Sequence, residues 1–149
     1  MTAKQQFSIR PLVCNDYDQV IEVWAQAGLS HRPLGRDARH HFQHELKQPT
    51  AQFLCAEAAD GTLVGVVLGT HDGRKGWINR LAVIPEARGQ GVAKALAREV
   101  ERRLHHLGIR IVTCLIEGDN VASKALFAAL GYVHHPDVSY YSKRESADW

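Results

Sequence analysis

The stretch that most constrains the fold of this 149-residue chain runs from Trp77 to Leu107. Trp77-Ile-Asn-Arg-Leu-Ala-Val-Ile84 is an apolar, β-prone run and reads as a strand. Val92, Leu96, Val100, Leu104 and Leu107 recur every three or four residues, one stripe of an amphipathic helix. Between them lies Pro85-Glu-Ala-Arg88-Gly89-Gln90-Gly91, a loop with two glycines and an arginine. Glycine lets such a loop turn sharply and lets a ligand approach without a Cβ in the way. The first N–H groups of the helix have no internal partner, and the helix dipole adds about half a positive charge there. Arg88 adds a fork of donors suited to phosphate. The stretch therefore reads as a cradle for a phosphate-bearing ligand, unless its glycines serve only to cap the helix.

Composition narrows the class. The length suits one domain, residues 1–149. Apolar and charged fractions of 45% and 23% are those of a globular protein. A net charge of +2 with no basic run gives no reason to invoke nucleic acid. Cys14, Cys55 and Cys114 are scattered and odd in number, which favours free thiols in a reducing cytosol over disulfides or zinc. The start, Met1-Thr-Ala-Lys-Gln-Gln, lacks the apolar core of a signal peptide. No run is long and apolar enough to suggest a membrane span.

In chain order, Phe7–Leu12 alternates as an edge strand. Asn15 or Asp16 caps a helix with Tyr17, Val20, Ile21 and Trp24 on its apolar face, ended by Gly28. Arg36–Gln48 is a second, mostly polar helix. Gln52–Ala58 and Thr62–Thr70 are strands joined by an Asp60-Gly61 turn, and Asp72–Gly76 turns the chain into the Trp77 strand. Short turns make these three strands antiparallel. Ile109–Ile116 is a strand that a helical crossover makes parallel to the Trp77 strand. Asp119 or Asn120 then caps a last helix over Ala122–Leu130, and Tyr132–Lys143, broken by Pro136, reads as one bent strand or two short ones.

Two phosphate motifs fail on this loop. The nucleotide-triphosphatase loop needs a Gly-Lys-Ser/Thr ending that is missing, and the dinucleotide fingerprint needs a third small residue where Lys94 stands. The pattern Arg/Gln-x-x-Gly-x-Gly/Ala is met in full by Arg88-Gly89-Gln90-Gly91-Val92-Ala93. With Leu81-Ala82-Val83 and Pro85-Glu86 before it, the stretch resembles the acetyl-CoA site of the GNAT family of N-acetyltransferases. The order of elements also resembles that family. The resemblance implies an α/β (α+β) fold with a mixed, mostly antiparallel sheet, splayed parallel strands 4 and 5, and about four helices.

It further implies an acyltransferase that uses acetyl-CoA as cosubstrate and no metal, acting on a small-molecule, protein or peptide amine, often as a homodimer. Carried over residue by residue, the CoA contacts are Leu81, Ala82, Val83, Arg88, Gly89, Gln90, Gly91, Val92, Ala93, Lys94, Asn120 and Phe127. For Asn120 a plain helix cap is an equal reading.

The catalytic positions depart from the family. Where its last helix usually carries a tyrosine acid, this chain has Phe127. The usual base positions are Leu115 and Arg80. Tyr140 or Tyr141 could supply a hydroxyl, Cys114 could face the cofactor, or positioning alone could suffice, since proximity is worth about 7–11 kcal/mol. An acyl-CoA sensor with little activity is the alternative. His40, His41 and His44 lack the further ligand and spacing of a zinc site. His71, beside the turn before the Trp77 strand, is a remote candidate for the cofactor mouth.

Overall fold

A computed structural model describes residues 6–149; the signal-peptide reading of Met1–Gln5 lies outside them. Nine main elements follow in order: β1 (Phe7–Pro11), α1 (Tyr17–Gln26), α2 (Arg39–Leu46), β2 (Gln52–Ala58), β3 (Leu63–His71), β4 (Lys75–Val83), α3 (Val92–His106), β5 (Ile111–Cys114) and α4 (Val121–Ala129). The strands form one sheet in the order β1-β2-β3-β4-β5. Neighbours are antiparallel except β4 and β5, which are parallel. The mixed sheet and its four helices are the architecture expected.

Alternation along the strands divides the core into two layers. Leu54, Ala56, Val67 and Ile78 face α3, where they meet Val92, Leu96, Val100 and Leu104. Phe53, Cys55, Val66 and Ala82 face the other way, onto Val20, Val23 and Trp24 of α1 and Phe42 of α2. α3 lies close because glycines face it. A Cβ on Gly69 would fall 2.7 Å from Val100 Cγ1 and 2.9 Å from the Gln52 carbonyl oxygen. Spacings this short force neighbours to shift in a close-packed interior.

Several boundaries differ from the sequence reading. Asp16 does not cap α1 with its side chain. Its buried carboxylate accepts from Arg10 Nη1 and Nη2 at 2.8 and 3.0 Å and from the Val13 N–H at 2.8 Å, which fastens the start of α1 to β1. Burial alone would raise this carboxyl's pKa, but Arg10 and the Val13 N–H together hold it below the usual range. α2 begins at Arg39 rather than Arg36, because Asp37 is drawn into a turn by the Tyr17 hydroxyl, which donates to its carbonyl at 2.6 Å. Leu107 lies beyond α3 and is exposed.

The largest difference is after α4. Tyr132–Lys143 forms no strand. Pro136 cannot donate to a ladder, His135–Val138 is a turn, and Val133, Val138, Tyr140 and Tyr141 point to solvent. The chain then returns to the α2 side, where the Arg36 N–H donates to the Asp148 carbonyl at 3.0 Å and Trp149 packs edge-on against His41.

Candidate active site

β4 bulges in its second half. Leu68 pairs with Asn79 and Val66 with Ala82, so Arg80 and Leu81 together oppose Val67. Arg80 absorbs the extra residue with φ of 54°, the one positive φ at a non-glycine position among the described residues. Such a conformation costs on the order of 1–3 kcal/mol and survives where its surroundings enforce it. On the opposite edge, β4 meets β5 only from Lys75 to Ile78. From Asn79 to Val83 that edge has no strand partner among the described residues, and Leu115 and Ile116 leave the ladder instead of extending it. This is the expected splay. Unpaired backbone groups in the middle of a sheet are costly unless something pairs with them.

β4 leads straight into the glycine loop. Ile84 N–H closes onto the Val64 carbonyl at 3.0 Å, and Pro85–Ala87 makes one tight turn. Gly89 and Gly91 then take φ of 78° and 81°, the left-handed region that favours glycine. Gly91 is the residue before α3, whose first turn carries no acidic side chain. No acceptor among the described residues meets the N–H groups of Gly89 to Lys94. Arg88, Gln90 and Lys94 are exposed around them, and neither Arg88 nor Lys94 has an ion-pair partner among the described residues. Six free donors and two unpaired cations at one helix N-terminus can take a polyanion such as a pyrophosphate.

Beyond β5, the chain reaches Asn120 and α4. Asn120 caps α4 through its side-chain oxygen, which accepts from the Ser123 N–H at 3.1 Å. Its amide nitrogen has no partner among the described residues, so the cap leaves a donor over for a ligand. Phe127 is buried and stands edge-on to Tyr132 at 5.0 Å. The Tyr132 hydroxyl donates to Glu101 on α3 at 2.7 Å, and burial with that bond raises its pKa far above the ordinary value. The bond ties the segment after α4 to α3. Cys114 packs against the α3 layer, and burial raises its thiol pKa, the behaviour of a small hydrophobe.

The remaining candidates stand apart from this junction. Tyr140 and Tyr141 are 63% and 90% exposed and make no hydrogen bond or ring contact among the described residues. His71 Nδ1 accepts from the Gly73 N–H at 3.0 Å and so belongs to the β3–β4 turn. The His40 and His41 rings pack against one another at a tilt of 39°, and no three metal-ligating side chains converge among the described residues. No helix among them is long and apolar enough to cross a membrane.

Facing α1, the bulge presents a group whose setting is invisible in one dimension. The Arg80 guanidinium lies over the Trp24 ring, 4.2 Å from its centre, and its Nη2 donates to the Ser30 carbonyl at 2.6 Å. Arg80 Nε and Trp24 Nε1 are buried without a partner among the described residues. The loop from Ser30 to Asp37 closes over this corner, with Asp37 Oδ2 accepting from the Arg32 N–H at 2.7 Å. Burial pushes the Arg80 pKa down, Asp37 opposes it, and Arg36 and Arg32 add to it. Sequence marked Arg80 as the wrong residue for a base. Nothing in the pattern pointed to the rest, because Arg36 and Asp37 read as the start of the second helix, which begins only at Arg39.

Comparison with known proteins identifies the family and the fold. The model of a family described as "Acetyltransferase (GNAT) family" matches residues 17–132. Acetyltransferase SG1711 of Sodalis glossinidius is 32% identical over 136 residues, which cover 91% of this chain and 94% of that one. Among solved structures, the PaiA N-acetyltransferase of Thermoplasma acidophilum, in complex with coenzyme A, has a TM-score of 0.74 at 21% identity, covering 83% of this chain and 87% of that chain. The aminoglycoside acetyltransferase meta-AAC0020 from an uncultured soil metagenomic sample, in complex with sisomicin, has a TM-score of 0.78 at 17% identity, covering 94% and 97%.

Proposed function

The chain belongs to the GNAT acetyltransferase family, and from that premise we propose that it moves the acetyl group of acetyl-CoA to a primary amine by direct attack within a ternary complex. The observation that carries this reading is the meeting of two unsatisfied surfaces on one segment: the bare β4 edge from Asn79 to Val83 and the free donors from Gly89 to Lys94 at the α3 N-terminus.

On this reading, Arg88, Gly89, Gln90, Gly91, Val92, Ala93 and Lys94 hold the pyrophosphate. The backbone of Leu81, Ala82 and Val83 pairs with the amides of the pantetheine arm, which enters the splay as an added strand. The Asn120 amide and the Phe127 ring form the facing wall. One backbone donor near Leu81, aimed at the thioester oxygen, would contribute about 3–4 kcal/mol to the transition state. The amine nitrogen bonds to the acetyl carbon, the C–S bond breaks, and the proton lost by the amine ends on the CoA sulfur.

Phe127 cannot donate that proton, and the Tyr140 and Tyr141 hydroxyls are held by nothing near the splay. Transfer here rests on positioning, with water carrying the proton. The same absence favours one second reading, an acyl-CoA sensor with little turnover; release of CoA thiol with any amine separates the two.

The first test is thermal unfolding with acetyl-CoA, CoA, NAD or ATP. At about 100 times its dissociation constant a ligand stabilises by about 2.7 kcal/mol, which for a chain of this length raises Tm by about 5–10 °C. Acetyl-CoA and CoA should both do so, and NAD and ATP should not. A larger shift with NAD or ATP would show that the glycine loop holds another ligand.

A further inference from the structure

We propose that Arg80 selects the acceptor: the amine acetylated by this protein carries an anionic oxygen group, in the simplest case a carboxylate, that pairs with the Arg80 guanidinium. The proposal rests on the transferase reading above and adds the chemical class of the second substrate.

The bulge sets the position. By absorbing one extra residue, it turns the Arg80 side chain onto the α1 face, while the next residue, Leu81, packs on the α3 face. The cation is therefore one residue from the backbone that would hold the thioester. Its plane is fixed from below by the Trp24 ring and at one corner by the Ser30 carbonyl. A guanidinium fixed in this way is set to meet a planar oxyanion with two parallel N–H donors, which a mobile ammonium is not.

The charge around it is unbalanced. No carboxylate among the described residues forms an ion pair with Arg80. The acid whose charge acts on it, Asp37, is already engaged by the Arg32 N–H at 2.7 Å and by Arg36 Nε at 3.7 Å. Arg32 and Arg36 themselves bring two more positive charges to the corner. Arg10 of β1, by contrast, meets both Asp16 and Glu57. A half-buried cation normally has a counter-charge, because water no longer screens it fully. An acceptor that brings the missing anion gains that interaction, and a polycationic amine meets repulsion at the same place.

The test measures thiol release from acetyl-CoA with matched amines: glycine against glycinamide, glutamate against glutamine, and phosphoethanolamine against ethanolamine, with spermidine as the polycation. The anionic member of a pair should have kcat/KM about 10-fold to 100-fold higher, the range expected for a charged hydrogen bond. Whether the carboxylate or the phosphate pair separates further identifies the oxyanion. Arg80→Asn, a residue that tolerates the positive φ, should level the pairs yet leave the acetyl-CoA shift in Tm unchanged. Arg80→Lys should restore part of the preference.

Preference for neutral amines or spermidine, or a preference that survives Arg80→Asn, overturns the proposal. If acetyl-CoA binds but no amine of the panel turns over, calorimetric titration of the CoA-loaded protein with glutarate decides: saturable binding lost in Arg80→Asn upholds the anion site, and its absence overturns it. If acetyl-CoA causes no shift at all, the transferase reading fails, and the same glutarate titration on the free protein judges the anion site by itself.

Discussion

The two ends of the sheet are built to different standards. β2 and β3 bury Phe53, Leu54, Cys55, Ala56, Leu63, Val66 and Val67, and α3 buries five residues between them and solvent. β5 buries none, α4 buries only Phe127, and no residue after Leu130 is buried. The same sheet thus passes from a sealed core to an open edge within one strand, β4, whose first half is paired on both sides and whose second half is paired on one. Stability is concentrated on the β1–β3 side, and the unsatisfied donors gather where the sheet stops being sealed. A binding site made of backbone requires this arrangement: groups that a ligand is to pair with must be left unpaired by the fold, at a cost the rest of the core offsets.

The comparison fails at once if the closed side is not where stability resides. Leu96→Ala, in the middle of α3 with no exposure, should lower unfolding free energy by about 2–5 kcal/mol. Val121→Ala, at the exposed start of α4, should stay within about 0.5 kcal/mol. Urea denaturation of the pair reads the contrast, and similar losses from both would refute it.

Asp16 tests the corner that ties β1 to α1. Asp16→Asn removes the charge facing Arg10 and should cost about 1.5–3 kcal/mol at neutral pH. Because the folded carboxyl is held below its ordinary pKa, its contribution is present above the unfolded value, about 3.9, and is lost as pH falls through the folded one. The difference between wild type and Asp16→Asn should therefore be constant from pH 7 to about 5 and shrink in more acidic buffer. A difference that grew on acidification would have the wrong sign for this ion pair.

Two glycines give a smaller contrast. Gly69→Ala pushes a methyl group into Val100 and the Gln52 carbonyl and should cost about 1–3 kcal/mol. Gly118→Ala, on the open side with nothing within 4 Å of the added carbon, should be neutral, within about 0.5 kcal/mol. Equal effects on Tm would mean that α3 is free to move away from β3.

What could be read from sequence follows the same division. Where burial enforces periodicity, as in β2, β3, β4 and α3, pattern and element coincide, and the Arg88–Ala93 loop is legible because it needs glycines at fixed offsets. Pattern failed where apolar residues are not buried. Val133, Val138, Tyr140 and Tyr141 look like strand residues, but no sheet edge meets them and Pro136 interrupts them. The Arg80 corner was illegible for another reason: Trp24, Ser30 and Arg80 are brought together by a bulge and a loop, and neither local propensity nor spacing encodes their contact.

The smallest expected effect bears on the open side's role in chemistry. Tyr140→Phe and Tyr141→Phe each remove one hydroxyl from a segment that is 63% and 90% exposed at those positions. Neither should alter stability, and on the positioning reading neither should alter kcat or its pH profile. A general acid must be held within hydrogen-bond reach of the atom it protonates, and nothing in the segment from Val133 to Lys143 fixes either hydroxyl there. If one variant instead lost about 100-fold in kcat with acetyl-CoA binding intact, that hydroxyl would be the acid that Phe127 cannot be. The last segment would then have to fold onto the splay when both substrates are bound, and the open end of the sheet would be the part of the molecule that completes its active site only during turnover.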